Sequence, residues 1–422
     1  MDLLETYFKY DNNSVICGLT NELNVFYVLS LFQKVKKNVI VLTSSLYEAN
    51  NYYNLLQTYT NDVLLFLMDD FLSSMVKTAS PELKLTRLNT IDKMESGNHI
   101  IITNLMAYLK FLPSRNYANS RKLVIENGTK IQRDELVKKL LDFGYRKESI
   151  TTTTGECSVR GMIVDVFLIN EIHPIRIELD DDIIDNIRYF DENTQSTINL
   201  IDKIVVKPID ECEDLGHSNI YEYANDPIVV SIDYPQIEAS YHKLLEDITE
   251  YCEKQNISKT LMHKLEEINP SYEIQLNKFS TGKNDYLINC SSIENFNQDF
   301  DLLRKNVEKW QFEKKRILFC LSHDTEVKKI KQEFPEIEIV KKKVNQGFII
   351  RDLVVISEYD IENVKHEYKY QNNFYCGKKI VNYNELNKGD YVVHIAHGIG
   401  VYNGIVTLTK DGIKKIIFKY YI

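Results

Sequence analysis

The sequence is poor in glycine and proline, with 15 and 8 among 422 residues. This scarcity excludes collagen-like and low-complexity architectures, which are rich in those residues. The seven cysteines form no CxxC pair and no close Cys/His group, which argues against a zinc site and a disulfide framework. No apolar run approaches about 18 residues, and no basic stretch followed by an apolar one opens the chain. We therefore expect a soluble, cytoplasmic protein without a membrane partner.

What is present is typical of a globular protein: 44% hydrophobic and 27% charged residues. The chain is longer than one hydrophobic core usually fills, so about two to four domains are expected. The net charge of −10 disfavours a protein whose whole surface binds nucleic acid, because phosphates require clustered Lys and Arg. A local basic groove stays open, although the run 341–343 of three lysines is more typical of a solvated strand end.

Helix-like and strand-like segments alternate over the first 110 residues. Two segments space their apolar residues as helices do: 25–34 and 45–60. Three are short apolar runs: 38–43, 63–67 and 99–104. Short buried strands between helices predict a parallel sheet with helices on its faces. A strand within 226–236 would return to that sheet, so this α/β domain would be discontinuous, comprising 1–121 and 207–275.

The turn after the first expected strand is where such a sheet often binds a nucleotide. A working phosphate loop reads G-x-x-x-x-G-K-[ST], with backbone amides and Lys around the phosphate. Gly18 and Thr20 are present, but Asn21, Glu22 and Leu23 replace the Gly-Lys pair, and a Glu repels phosphate. The sequence therefore predicts a degenerate P-loop-type domain without nucleotide chemistry.

Other catalytic templates are absent, including H-E-x-x-H and G-x-S-x-G. Paired acids such as Asp69 and Asp70 are interpreted as solvated or capping groups. His394 and His397 have a spacing that metals use, but no further ligand group completes a site. We expect no catalytic residue, no metal and no cofactor in this chain.

A second unit is expected over 122–206. A strand and the Asn127-Gly128 turn precede an amphipathic helix that ends near Gly144. Four segments with apolar residues at every second position follow, as in antiparallel strands with one buried face. They are 158–169, 173–180, 182–191 and 196–208. A helix against an antiparallel sheet makes an α+β domain.

Three strings in this unit carry a family resemblance: GECSVRGMIVDVF (155–167), PIRIEL (174–179) and RYFDENTQS (188–196). Together they are similar to the UvrA-binding domain shared by UvrB and the bacterial transcription-repair coupling factors (Mfd). The motif SPELxxxR (80–87) agrees with that family. Because the phosphate loop is degenerate, the sequence resembles the coupling factors and not UvrB.

The resemblance implies that two arginines and an aromatic residue of this domain bind UvrA. The arginines fall on Arg160 and Arg176, which we expect on adjacent strands, and the aromatic falls on Asp180. Two guanidinium groups can bind acidic groups of a partner; the alternative is that each pairs with a local acid such as Glu178. Asp180 puts a charge where the family has an apolar anchor, so UvrA binding is expected to be weaker or differently arranged.

A small α/β domain is expected over 276–365, and it resembles the domain that follows in the coupling factors, whose role stays open. Its expected elements are strands at 316–323, 336–343 and 352–360 and a helix at 325–334. Trp310, the only tryptophan, is expected in a core or a domain interface. Residues 366–383 lack periodicity and are expected to form a linker.

Segment 384–422 alternates glycine turns with short strands, the composition of a small curved β-barrel. It resembles the RNA polymerase-interacting domain of the coupling factors and of CarD-type regulators, a Tudor-like barrel. The resemblance implies binding to the polymerase β subunit, partly through strand-edge pairing. Since the family barrel is longer, we expect a truncated barrel that binds polymerase weakly. The residues expected at this contact are Gly389, Asp390, Tyr391, Val392, Val393, His394, His397, Gly398 and Gly400.

The resemblance as a whole implies an adaptor of nucleotide excision repair that recruits UvrA to stalled RNA polymerase. Full-length relatives add a DNA translocase motor that uses ATP and Mg, so DNA would be contacted only through that motor or indirectly. Two alternatives stay open: a UvrB-like ATP-dependent repair enzyme with a divergent phosphate loop, and a CarD-like transcription regulator that binds polymerase without UvrA.

Overall fold

The computed structural model describes residues 2–70, 81–209, 211, 218–258, 260–280, 282–362, 388–389, 391–394, 398–410 and 413–421. It divides into two compact units, Met1–Phe374 and Tyr375–Ile422, and each is described by itself. The expected linker at 366–383 lies outside the described residues, as do Asp390 and His397.

The strands are β1 (Ser14–Cys17), β2 (Val39–Thr43), β3 (Val63–Phe66), β4 (Ile100–Asn104), β5 (Leu123–Glu126), β6 (Arg146–Lys147), β7 (Glu156–Arg160), β8 (Ile163–Val166), β9 (Ile175–Asp180), β10 (Ile183–Phe190), β11 (Thr197–Leu200), β12 (Lys203–Val206), β13 (Ile228–Ile232), β14 (Glu273–Asn277), β15 (Tyr286–Leu287), β16 (Cys290–Ser292), β17 (Arg316–Cys320), β18 (Glu338–Val340), β19 (Phe348–Ile350), β20 (Leu353–Ser357), β21 (Tyr391–His394), β22 (Gly398–Lys410) and β23 (Ile413–Tyr421).

The helices are α1 (Asp2–Glu5), α2 (Asn21–Val35), α3 (Leu46–Gln57), α4 (Pro81–Lys93), α5 (Leu105–Tyr108), α6 (Arg115–Ser120), α7 (Arg133–Asp142), α8 (Ile220–Tyr223), α9 (Tyr234–Gln255), α10 (Phe300–Phe312), α11 (Asp324–Glu333) and α12 (Glu358–Glu362).

The first sheet has seven parallel strands in the order β15-β1-β14-β13-β2-β4-β3. Strands β2, β4 and β13 are buried along their whole length, because helices cover both faces of the sheet. The chain returns to this sheet through β13, β14 and β15. The boundary expected between residues 275 and 276 therefore falls inside β14.

The inserted domain contains a six-stranded sheet in the order β11-β10-β9-β8-β7-β6, antiparallel except for β6 and β7. The expected single strand over 158–169 is instead a hairpin, since β7 and β8 turn at Gly161-Met162. Helix α7 packs Leu136 and Leu140 into the same core as the buried face of the sheet. Strands β5 and β12, where the chain enters and leaves the domain, pair with each other.

The small α/β domain has a five-stranded sheet in the order β16-β19-β20-β17-β18, flanked by α10, α11 and α12. Trp310 is buried in its core. The other face of the sheet packs on the first domain, where Phe348 and Val355 join Phe26 and Leu29 of α2 in one cluster. The expected strands and helix are present as β17, α11, β18 and β20. Helix α10 and strands β16 and β19 were not expected.

The second compact unit contains the antiparallel sheet β21-β22-β23 among its described residues. The β22–β23 register shifts between Tyr402 and Ile405, and Gly404, with a φ of +99°, lies at this irregularity. Such a bulge bends a strand, as a curved sheet requires. Mixed parallel and antiparallel sheets in several domains confirm the expected α/β multidomain class. No helix in the described part of the chain is long and apolar enough to span a membrane.

Candidate functional site

The candidate partner-binding surface is the solvent-facing side of the six-stranded sheet, called here the outer face. Strand β9 alternates between buried Ile175, Ile177 and Leu179 and the outward residues between them. Because side chains alternate between the two faces of a strand, Arg176, Glu178 and Asp180 share the outer face.

Arg176 is the most constrained residue of the outer face. Its Nε and Nη2 donate hydrogen bonds to the two carboxylate oxygens of Asp165, at 2.7 and 2.8 Å. Nη2 also donates to Oε1 of Gln195 at 2.9 Å, and the guanidinium lies 4.3 Å from the ring centre of Phe190. The hydrogen bonds to Asp165 raise the pKa of Arg176 further above its ordinary value. Only 13% of its side chain is exposed, so the contacts of Arg176 are mainly with residues of its own domain.

Arg160, at the end of β7, is exposed and makes no side-chain hydrogen bond or ion pair with any residue that the structure describes. Strand β8 separates it from Arg176, so the expectation that the two arginines occupy adjacent strands is wrong. The error arose because the 158–169 run was interpreted as one strand. The two residues nevertheless share the outer face, because Ser158 pairs with Asp165, which pairs with Arg176.

Asp180 lies at the end of β9 and is exposed. Its partner in the β9–β10 register is Ile183, whose side chain is 47% exposed. Met162, at the tip of the neighbouring hairpin, is exposed too, and its carbonyl accepts a hydrogen bond from the Leu179 N–H. Two hairpin tips therefore put apolar surface beside Asp180. Sequence patterning missed Ile183, although an isoleucine next to three aspartates was the available signal.

Glu178 does not pair with either candidate arginine. Its carboxylate accepts hydrogen bonds from Arg188, one of them at 2.8 Å, across the β9–β10 pair. The outer face thus holds two ion pairs, Arg176–Asp165 and Arg188–Glu178. In each pair the arginine and the carboxylate neutralise each other. Arg160 is thus the outer-face arginine whose guanidinium is available to another molecule.

The degenerate phosphate loop connects β1 to α2. The Thr20 hydroxyl accepts a hydrogen bond from the Leu23 N–H and caps the helix. Gly18 has a φ of +87°, and a Cβ there would lie 2.7 Å from the Ile288 carbonyl oxygen. The side chain of Glu22 is buried between this domain and the small α/β domain. The turn therefore packs closely against Ile288, and the Glu22 carboxyl that follows it is engaged at a domain boundary.

The neighbouring helix starts at this sheet edge are also closed by the chain's own groups. The Asp70 carboxylate accepts hydrogen bonds from the Leu46 N–H, at 2.9 and 3.0 Å, at the start of α3. Ser45 caps the same helix through the Glu48 N–H. An acid at a helix N-terminus occupies the position that favours a bound anion.

Ser322, His323 and Glu358 lie together at the edge of the small domain's sheet. The Glu358 carboxylate accepts a hydrogen bond from the Ser322 hydroxyl at 2.6 Å, and Nδ1 of His323 lies 3.2 Å from it. Nδ1 is also the ring nitrogen nearest the Ser322 hydroxyl, at 3.3 Å. A nucleophilic triad needs serine and acid on opposite ring nitrogens, so this cluster is not one. Among the described residues, no group of three or more His, Cys, Asp or Glu could hold a metal ion.

A buried ion cluster joins the two sequence segments of the first domain, 1–121 and 207–275. Nε and Nη2 of Arg87 each donate to the Glu211 carboxylate at 2.7 Å, and Nζ of Lys110 lies 3.5 Å from it. Burial alone would raise the pKa of Glu211, but the two cations outweigh it and lower the pKa to about 2. Arg87 ends the SPELxxxR motif, and its partner, 124 positions away, was not predictable from spacing.

In the second unit, six of the described polymerase-site candidates lie on the β21–β22 ladder. Tyr391, Val392, Val393 and His394 form β21, in which Val392 pairs with Gly400 and His394 with Gly398. Gly389 has a φ of +102°, and its N–H donates to the Tyr402 carbonyl at 2.9 Å. Strand β21 is at the edge of the described sheet, which is the position that strand-edge pairing requires.

Comparison with known proteins agrees with this organisation. The family model of the UvrB interaction domain matches residues 123–211, and that of the CarD-like/TRCF RID domain matches 386–421. The transcription-repair-coupling factor of Bacillus subtilis is 23% identical over 98% of this chain. The factor of Staphylococcus aureus strain RF122 is 24% identical over 97% of it.

Over nearly its whole length, the chain is thus similar to part of the transcription-repair-coupling factors. It spans about half the length of these curated relatives, 45% and 44% of their sequences. The resemblance seen in the sequence is therefore confirmed for both domains. The comparisons do not address the individual site residues, which stay predictions.

Proposed function

We propose that this chain is an adaptor of transcription-coupled repair, which binds UvrA through the outer face and RNA polymerase through its second unit. The observation that carries this proposal is the presence of both matched domains in one chain. A bacterial cytoplasm, where stalled polymerase and repair proteins meet, is the location that this role requires.

For UvrA, the proposal rests on Arg160, which is exposed at the end of β7 and has no described partner. A guanidinium fork binds a carboxylate through two hydrogen bonds, so an acidic patch on UvrA is the matching chemistry. Arg176 lies on the same face, but its guanidinium group is already hydrogen-bonded to Asp165, so its role there is to stabilise the surface.

For RNA polymerase, the proposal rests on the edge position of β21. An edge strand presents unpaired backbone groups that a strand of a partner can extend. The β subunit is the proposed partner, and the degenerate P-loop-type domain would serve as a scaffold. The translocase activity that uses ATP and Mg belongs, on this proposal, to full-length relatives.

Two variants separate the two contacts. We expect Arg160→Ala to lower UvrA affinity at least tenfold in calorimetry and to leave polymerase binding unchanged. A chain lacking 384–422 should show the reverse pattern. Arg304→Ala, which removes an exposed arginine from α10, is the matched control. Wild-type chain that binds polymerase but not UvrA would support the CarD-like alternative instead.

The UvrB-like alternative predicts that the chain binds ATP. The proposal predicts that ATP with Mg does not change the melting temperature, because Gly18 packs against Ile288 and acids occupy the helix starts. A rise in the melting temperature with ATP would favour the alternative.

A further inference from the structure

The segment 344–348 lies between the first domain and the small α/β domain. The Asn345 N–H donates to Oε1 of Glu22 at 3.2 Å, and its side-chain amide donates to the Tyr59 hydroxyl at 3.2 Å. Two residues later, the Gly347 N–H donates to Oδ2 of Asp360 at 2.8 Å. One short segment is thus held by two carboxyl groups, one from each domain.

The Asp360 end of this segment is rigid. The same Oδ2 atom accepts from the Ser357 N–H and from the Ser357 hydroxyl, both at 2.7 Å. A Cβ on Gly347 would lie 2.2 Å from that oxygen, so only glycine fits. The segment therefore belongs firmly to the small domain, and the Glu22 contact is the one that joins it to the first domain.

Glu22 is held differently. It extends from the first turn of α2 into the boundary between the domains, where it is 3% exposed and accepts the Tyr59 hydroxyl hydrogen bond. Aromatic rings pack together at this boundary: the ring centre of Phe26 lies 5.0 Å from that of Tyr59 and 5.8 Å from that of Phe348. No Lys or Arg among the described residues forms an ion pair with Glu22, so no counter-charge offsets the burial of its ionised form.

The boundary also has room for water. A cavity of about 630 Å³ runs along it, lined by Phe26, Tyr59, Val344 and Phe348, with Asp62, Lys342 and Lys343 also among its lining residues. Two buried acceptors, Oδ1 of Asn345 and Oδ1 of Asp360, have no hydrogen-bond donor among the residues that the structure describes. Buried acceptors without donors gain free energy when water reaches them.

We propose that the Glu22–Asn345 contact is a proton-dependent latch: with Glu22 protonated the small domain is closed on α2, and ionisation of Glu22 opens the boundary to water. The charged groups that face Glu22 are few. Asp360 on α12 is the charged group that acts on Glu22, and the titratable hydroxyl of Tyr59, just after α3, donates a hydrogen bond to it; Lys342 and Lys343 line the nearby cavity.

The electrostatics agree with this geometry. Burial raises the pKa of Glu22 to about 7, although the Tyr59 and Asn345 hydrogen bonds act in the opposite direction. Burial raises the pKa of Asp360 to about 6. A carboxyl whose pKa is higher in the closed state stabilises that state at low pH and loses this contribution as pH rises through the closed-state pKa. The closed state of the latch therefore loses stability as pH rises through about 7.

Hydrogen–deuterium exchange of the full chain tests the latch. We measure protection of the amides in 344–348 between pH 6 and 8, after correction for intrinsic exchange. With a closed-state pKa of about 7 for Glu22, the opening constant should rise roughly tenfold across this window. Asp360, whose pKa is about 6, also titrates at the lower end of this window and should add only about a twofold change, so the Glu22→Gln variant is needed to separate the two groups.

Two variants and a control complete the experiment. Glu22→Gln, which cannot ionise at this position, should reduce the roughly tenfold change to the about twofold change that Asp360 contributes. Tyr59→Phe removes a hydrogen bond that lowers the pKa of Glu22, so it should move the transition to higher pH. Glu156→Gln, at a buried glutamate outside the boundary, should behave as the wild type. Unchanged pH dependence in Glu22→Gln, or a transition unmoved by Tyr59→Phe, overturns the proposal.

Discussion

Arg176 and Asp165 face each other across the β8–β9 pair, and the guanidinium donates two hydrogen bonds to the carboxylate, at 2.7 and 2.8 Å. Asp165 is 2% exposed and Arg176 is largely covered by Gln195 and Phe190. The main role of such an enclosed charge pair is to stabilise the domain, because its groups are largely inaccessible to a partner protein. The two arginines of the outer face therefore have different tasks, and their substitution should have different effects.

We expect Arg176→Ala to lower the free energy of unfolding by about 3–5 kcal/mol, because the buried carboxylate of Asp165 loses its counter-charge. Arg160→Ala should change it by less than about 0.5 kcal/mol, since Arg160 is exposed. Urea unfolding of the full chain measures both. The double variant Arg176→Ala/Asp165→Leu also removes the buried carboxylate, so it should recover part of this loss. If it is as unstable as Arg176→Ala alone, the uncompensated charge of Asp165 is not the cause of the instability.

Ile183 should contribute to UvrA binding, because it places apolar surface directly beside Asp180 on the outer face. We expect Ile183→Asp to lower UvrA affinity about tenfold, as loss of an apolar anchor does. Ile198→Asp is the matched control: it introduces the same charge on edge strand β11, away from Asp180. Calorimetric titration with UvrA measures both, and equal losses would refute a local role for Ile183.

The Arg87–Glu211 cluster should make the free energy of unfolding depend on pH in the acidic range. The pKa of Glu211 is about 2 in the folded chain, below its ordinary value, so its contribution is present above about pH 4.5 and is lost as pH falls towards 2. Glu211→Gln should cost about 3–5 kcal/mol at pH 7, and the gap to the wild type should narrow between pH 4.5 and 2. Urea unfolding at several pH values measures this. A gap that is constant with pH would contradict the assignment, and Glu126→Gln, at an exposed acid, is the control.

Gly347→Ala should destabilise the small domain, because the added Cβ would lie 2.2 Å from Asp360 Oδ2 and 2.5 Å from the Val355 carbonyl oxygen. We expect a loss at or above the upper end of the roughly 1–3 kcal/mol that overpacking costs. Gly97→Ala, whose nearest neighbour is 3.7 Å away, should be nearly neutral. Thermal unfolding followed by Trp310 fluorescence detects the change, and a neutral Gly347→Ala would mean that the segment is not rigid.

Local patterns in the sequence predicted much of the fold. The apolar runs at 38–43 and 99–104 became β2 and β4, because a strand covered on both faces needs a continuous apolar run. Ser45, a residue type that favours helix N-caps, caps α3. The run at 158–169 was misinterpreted because Gly161-Met162 interrupts an otherwise even alternation, and only a turn distinguishes one long strand from a hairpin.

The candidate site was less predictable, because its behaviour depends on contacts between distant residues. Nothing in the spacing of Arg176 and Asp165 signals that they pair, since the β8–β9 register decides it. The same holds for Glu22 and Asn345, which are separated by 323 positions. Residue type identified Glu22 as unsuited to phosphate, but its burial between two domains follows from tertiary packing.

The pairing of β5 with β12 has a consequence for how the molecule was assembled. Leu123 lies opposite Val206 and Glu126 opposite Lys203, so the polypeptide enters and leaves the inserted domain through one two-stranded stem. A module whose two ends meet can be added to a host loop, or lost from it, without displacing the host's strands. The stem therefore marks the joint at which such a domain can be gained or lost while the parallel sheet keeps its strand order.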